Sequence, residues 1–432
     1  MANTVGGAST LSWVTFDSQE IEQARLVIKQ LEGDSTVDKL GLGNPVEKIS
    51  DIFFPGTSTL HTSLRYNIFV PAIIASLYSR KRKVINPAEE LRKAEYALQK
   101  NLLDSGMKAG VIGRTRGEAL KYWPSLTYWN GFNALQIFGS RYYSREEIFR
   151  ILNRSHELAI INDDGVVESE EEQKIDFDPE FLAIARDLFK TDFESTKFND
   201  EVTFSLTKPE ARYISNKYLR LHNESLSAHL VQQNLNDLKA ITNFSDLPST
   251  GNGKLDHLVE QSKIFSIISA GITHTYRTIL CDHLNRYVRA TTNPDAATTW
   301  AAAKDRNSNH LKTWCKIRAK IPQAWRFGNL ESAFKDYSDV SLNADGLGSF
   351  VDDCLSSLIR YTDPDQITAQ LTNTIQSREN SIKKSRSHFR NPSIPIPHNV
   401  LGENETTTFY MYDFRWWFGH TNAKDIVEAL ST

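Results

Sequence analysis

A predominantly α-helical chain, built as two or three packed helical units with minor β, is the fold class this sequence predicts. Three observations predict it. Apolar residues recur at intervals of three and four over most of the chain, and glycines and prolines punctuate those stretches. Neither a repeat of fixed period nor an alternation of strand and helix patterns fit for a doubly wound sheet is present.

Trp13, Phe16, Leu26, Ile28 and Leu31 accompany a first helix that Asp17 or Ser18 caps, with Glu20 favouring its positive end. The stretch from Val46 to Phe54 stops at Pro55 and Gly56. The spacing of Leu60, Leu64, Ile68, Ile73, Ile74 and Leu77 then predicts a buried helix, kinked or broken near Pro71. Leu91, Tyr96, Leu98 and Leu102 give an amphipathic helix behind Pro87, and helices resume through Leu158 after a glycine-rich and an aromatic segment. Asp163 to Glu180 is densely acidic and reads as a solvated linker or loop. Helical spacing returns over Phe181 to Phe189, Pro209 to Gln232, Leu255 to Ala290, Trp300 to Trp325, Phe350 to Tyr361 and Ile367 to Lys384. Pro392, Pro395 and Pro397 make an extended connector, and a last helix covers about Asn422 to Leu430. The organisation expected is residues 1–162, an acidic linker at 163–180, then 181–345 and 346–432.

Composition narrows the class of protein. Hydrophobic residues at 40% and charged residues at 24% match ordinary globular usage, which excludes wholesale disorder and fibrous repeats. Cys281, Cys315 and Cys354 are far apart and form no CxxC pair, so a zinc ribbon, a redox pair and a disulfide framework are not indicated. No apolar run approaches the roughly 20 residues that span a bilayer, so no membrane contact and cytoplasmic residence are expected. The net charge of −3 gives no global attraction to nucleic acid, and any such contact must come from local patches.

Three local features carry functional readings. At Phe53 to Thr59, a Pro-Gly turn precedes Thr57, Ser58 and Thr59 where a helix is expected to start. Free amides there, with Arg65 about two turns on, suit a phosphate or carboxylate. The plainer and favoured reading is a helix cap over buried phenylalanines, since the lysine and spacing of a nucleotide loop are missing. The second feature combines Arg80, Lys81, Arg82, Lys83, Lys108, Arg114, Arg116 and Lys121 with Trp123, Tyr128 and Trp129, cations for phosphates beside rings for bases. Glutamates 89, 90, 95 and 118 interrupt that charge, so a solvated helix beside a buried aromatic core is the favoured reading. The third joins Lys383, Lys384, Arg386, His388 and Arg390 to a terminal segment in which Arg415 and Trp416 either stack on a ring or lock the segment down through Asp413.

No HExxH, serine elbow or reactive cysteine setting occurs, so neither a metal nor a cofactor is expected. A two-metal carboxylate site formed only by folding stays open.

Four segments carry a resemblance: LGLGNPVEKISDIFFPGTSTLHTSLRYNIFVP from Leu40, GVIGRTRGEALKYWPSLTYWNGF from Gly110, SLTKPEARYI with SLSAHL between Ser205 and Leu230, and YDFRWW from Tyr412. In that order they resemble an uncharacterised bacterial family of unknown function, similar to the ZacA component of the Azaca antiphage defence operon. The terminal segment departs from the family's tyrosine-arginine-tryptophan ending. The resemblance implies a defence role beside a helicase joined to a phospholipase D-like nuclease, and it implies no catalytic residues. The expectation is a non-catalytic subunit that binds DNA, RNA or that helicase-nuclease. A divergent metal-dependent nuclease or nucleotide-processing enzyme, and a purely structural scaffold, are the alternatives.

Overall fold

The structure, a computed structural model, describes residues 40–80, 84–117, 120–161, 174–189, 198, 202–290, 294–394 and 411–432. The expected amino-terminal helix, Lys81 to Lys83, residues 162–173 of the acidic stretch, and Pro395 and Pro397 lie outside the described residues.

The fold is mainly α, with sixteen α-helices among the described residues and a single isolated bridge, Phe189 to Phe198, as their only extended pairing. Helix α1 (Gly43–Phe53) buries Pro45, Ile49, Ser50 and Phe53 along one stripe. Helix α2 (Tyr66–Tyr78) is buried on every face from Tyr66 to Leu77. Ile68, Phe69, Val70, Ile73, Ile74 and Leu77 are all 0% exposed, worth roughly 9–18 kcal/mol of gross transfer free energy at ~1.5–3 per side chain. That exceeds the ~3 kcal/mol an internal proline costs. The helix accordingly runs unbroken through Pro71.

Around α2 pack α3 (Pro87–Asp104), α4 (Pro124–Thr127), α5 (Trp129–Ala134), α6 (Arg145–Ile161) and α7 (Pro179–Asp187). Asn86 caps α3 through the Glu89 amide, and Asp178 caps α7 through the Glu180 and Phe181 amides. Next come α8 (Lys208–Leu221), α9 (Leu226–Leu230) and α10 (Leu235–Ala240). The single helix expected over Pro209 to Gln232 is therefore two, because Ser225 starts a new one by accepting from the Ala228 amide. The remaining helices are α11 (Gly253–Ala290), α12 (Pro294–Ile317), α13 (Phe327–Lys335), α14 (Leu347–Arg360), α15 (Pro364–Lys383) and α16 (Trp416–Ser431). The last begins six residues before its expected start.

The chain forms two compact units. One comprises the described residues within 44–266, 325–342 and 411–432, so both sides of the acidic stretch belong to it. In it α16 packs on α8, α9 and α10. Among the described residues the other comprises 40–43, 267–290, 294–324 and 343–394. There α15 packs against α14 and α12, and Trp314 packs closely on Gly271, where a Cβ would come within 2.5 Å of the indole. Its Nε1 donates to the Ile267 carbonyl at 2.6 Å.

Candidate functional site

The Phe53 to Thr59 turn sits at the carboxyl end of α1, and no helix starts at Thr57: the next one begins at Tyr66. This corrects the expected helix start. Gly56 at φ +72° turns the chain out of α1, and the Thr57 hydroxyl donates to the Phe54 carbonyl at 2.7 Å instead of accepting from an amide. A helix carboxyl end presents carbonyls and the negative end of the dipole, so it attracts a cation. The cation present is Arg415, whose Nη1 donates to the Thr57 carbonyl at 2.7 Å and to Asp51 at 2.6 Å. Arg415 thus holds the terminal segment down through Asp51, while its backbone amide, not its guanidinium, bonds the Asp413 carboxyl. Phe414 and Arg415 both have positive φ. Phe414 lies edge-on to Phe53, and Trp416 is buried with its Nε1 donating to the Thr242 carbonyl.

Arg65 is committed to a buried pair. Its guanidinium donates to both carboxylate oxygens of Glu210 at 3.0–3.2 Å, and Nη1 donates to the Thr203 carbonyl at 2.7 Å. Glu210 also accepts from the Thr207 amide as part of a capping box. The pair's side chains are 8% and 1% exposed, and sequence reasoning missed Glu210 as the partner.

The aromatic half of the expected nucleic-acid groove lies in the core. Tyr128 is fully buried, stacks on His61 at 3.9 Å, and its hydroxyl accepts from the Thr62 and Ser63 amides at 2.6 and 3.0 Å. Trp129 packs on Phe132 and Phe138 and donates to the Tyr143 carbonyl at 2.7 Å. Trp123 is 8% exposed. Burial, with the Arg415 charge adding to it, pushes His61 down to about 4, so the ring is neutral near pH 7 and donates from Nε2 to the Thr127 carbonyl.

The cationic half is on the surface. Lys108, Arg114, Arg116 and Lys121 are exposed on a turn-rich loop whose glycines 110, 113 and 117 all have positive φ. Three groups fix the loop's entry: Thr62 donates to the Gly110 carbonyl at 2.6 Å, the Tyr66 hydroxyl accepts from the Ile112 amide at 3.2 Å, and Gln99 donates to the Ile112 carbonyl at 2.8 Å. Glu95 fixes its exit, accepting from the Ser125 amide at 2.6 Å and hydroxyl at 3.0 Å. Burial pushes the Glu95 carboxyl up to about 7 against those bonds and the Arg145 charge. Arg80, in the same unit, is paired with Glu90 at 3.1 Å.

Lys383, Lys384, Arg386 and Arg390 belong to the other unit. Lys384, Arg386 and Arg390 are exposed, and Lys383 is buried at the end of α15. His388 is fully buried and bonded to Glu379 at 3.2 Å. Among the described residues no group of three or more His, Cys, Asp or Glu side chains stands close enough to hold a metal ion. Burial raises all three cysteine thiols above their usual range, Cys281 to about 12, so none is a ready thiolate. No described helix is long and apolar enough to cross a membrane.

No curated protein and no solved structure matches the chain. A family described as of unknown function, DUF6361, matches residues 8–144, a stretch that holds the Phe53 to Thr59 turn, the cationic loop and the Tyr128–Trp129 pair.

Proposed function

We propose that this chain is a non-catalytic subunit that grips nucleic-acid phosphates through the Lys108 to Lys121 loop and serves a helicase-nuclease partner in bacterial antiphage defence. The observation that carries the first part is the loop itself. It presents Arg114, Arg116 and Lys121 to solvent while both its ends are pinned to the body. Arginines held this way bond phosphate oxygens bidentately and give binding without base readout. The defence setting and the partner rest on the resemblance of the four segments.

The test is fluorescence anisotropy with a short DNA duplex over a range of salt. Affinity should fall linearly on logarithmic axes as salt rises, and Arg114→Ala with Arg116→Ala should lower that slope by about two. Absence of binding at low salt, together with no association with the helicase-nuclease, removes the proposal.

A scaffold reading is favoured by one observation: Arg65, Arg415 and Tyr128 all spend their polar groups on internal bonds. It predicts partner association with no salt-dependent nucleic-acid binding.

A further inference from the structure

Glu95 and Gln99 stand four residues apart on α3, one helical turn, and each is almost wholly buried, at 2% and 5% exposure. Gln99 donates to the Ile112 carbonyl at 2.8 Å, and Glu95 accepts from the amide and hydroxyl of Ser125. Between those two anchors runs the part of the loop that carries Arg114, Arg116 and Lys121. Gly113 shows how close the first anchor lies, because a Cβ there would sit 2.5 Å from Gln99 Nε2. Arg114 adds an internal brace by donating to the Lys108 carbonyl at 3.1 Å.

We infer that Glu95 and Gln99 are positioning residues that staple both ends of the cationic loop to one face of α3 and hold it in the conformation that receives phosphates. This rests on the proposed nucleic-acid contact. A loop of this length with three positive-φ glycines has many conformations open to it, and a phosphate grip made from any one of them loses affinity in proportion to the fraction of time it is absent. Two buried side chains bonded at opposite ends of the loop restrict that freedom and touch no ligand.

Charge and staple predict opposite signs at Glu95. Removing its carboxylate takes a negative charge from beneath a cationic surface, which by electrostatics alone tightens polyanion binding. The staple predicts weaker binding. The probe is a fluorescent DNA duplex, with the full chain, at pH 8. Glu95→Ala and Gln99→Ala should each lower affinity about fivefold, as when the competent population drops to a fifth. Glu95→Gln, which keeps an acceptor for Ser125 and loses the charge, should bind at least as tightly as the parent. Amide exchange across residues 110–125 should quicken in Glu95→Ala and Gln99→Ala but not in Glu95→Gln. Tighter binding by Glu95→Ala, or unchanged affinity in Gln99→Ala, overturns the inference. Should Glu95→Ala fail to fold, Gln99→Ala decides, since it changes no charge. If the parent chain binds no duplex, the proposed function fails, and the exchange rates still decide whether the staple exists.

Discussion

Arg415 donates through Nη1 to the carbonyl of Thr57 at 2.7 Å, joining the start of α16 to the end of α1. Its ionic partners Asp51 and Glu47 are 65% and 75% exposed, so the ion pairs themselves contribute little. The bond to the part-buried Thr57 carbonyl, in the turn after α1, carries more. Arg415→Ala should cost about 1–3 kcal/mol, and Asp51→Ala under about 1 kcal/mol. Urea unfolding measures both, and equal losses would show that the ion pair matters as much as the carbonyl.

Gly56 and Gly106 form a matched pair of tests. Both have positive φ, but a Cβ at Gly56 would lie 2.6 Å from Ala134 Cβ and 2.9 Å from Gly131 Cα, whereas at Gly106 it would meet nothing within 4 Å. Gly106→Ala should lose about 1 kcal/mol, the left-handed penalty alone. Gly56→Ala should lose about 2–4 kcal/mol, because overpacking adds to that penalty. Thermal melts of the two variants decide it.

The buried Arg65–Glu210 pair should be costly to break and cheap to replace. Arg65→Ala or Glu210→Ala leaves one charge buried alone, a loss of about 3–5 kcal/mol. Arg65→Met combined with Glu210→Leu should recover most of that, although the Thr203 carbonyl and Thr207 amide still lose a partner. A double-mutant cycle by chemical denaturation gives the coupling, and additive losses would show no special pairing.

Two buried groups should tilt stability against pH in opposite directions. Glu95 titrates near 7 in the folded chain and near 4.5 when free, so its contribution is full below pH 4.5 and is lost as pH rises to about 7. His61 titrates near 4 folded and 6.5 free, so its contribution is full above pH 6.5 and is lost as pH falls to about 4. Each is worth ~3 kcal/mol as an upper figure. Between pH 4.5 and 6.5 the slopes oppose each other. Glu95→Gln should therefore make stability rise more steeply with pH in that window, and His61→Gln should make it fall. Unfolding curves at several pH values test both, and an unchanged slope in either variant removes its assignment.

Helix positions were legible where the cause was local. The spacing from Leu255 to Ala290 places α11 to within two residues, because side-chain periodicity needs no tertiary information. Arg65 illustrates the opposite case. Its partner Glu210 is 145 positions away, and nothing in either neighbourhood announces the other. Glu95 was readable and misread: counted as solvated charge, it stands with Leu91, Leu98 and Leu102 at helical spacing on the stripe that α3 buries. A carboxylate on an apolar stripe is a signal of a buried acceptor. The hydroxyls after Pro55 and Gly56 misled for a different reason, since a Gly closing one helix and hydroxyls opening the next look alike until φ is known.

The seat of α16 also bears on how the chain is made. Asp51 and Arg415 are 364 positions apart, and the Phe54 ring fills the space where Gly419 would carry a side chain. At about 5–20 residues per second of synthesis, the end of α1 waits roughly 20–70 seconds for the segment that covers it. Through that interval Phe53 and Phe54 lack their final neighbours. The unit containing them completes its core only after α16 has emerged from the ribosome, which makes the nascent chain a client for holding factors and makes truncation within α16 a folding defect before it is a functional one.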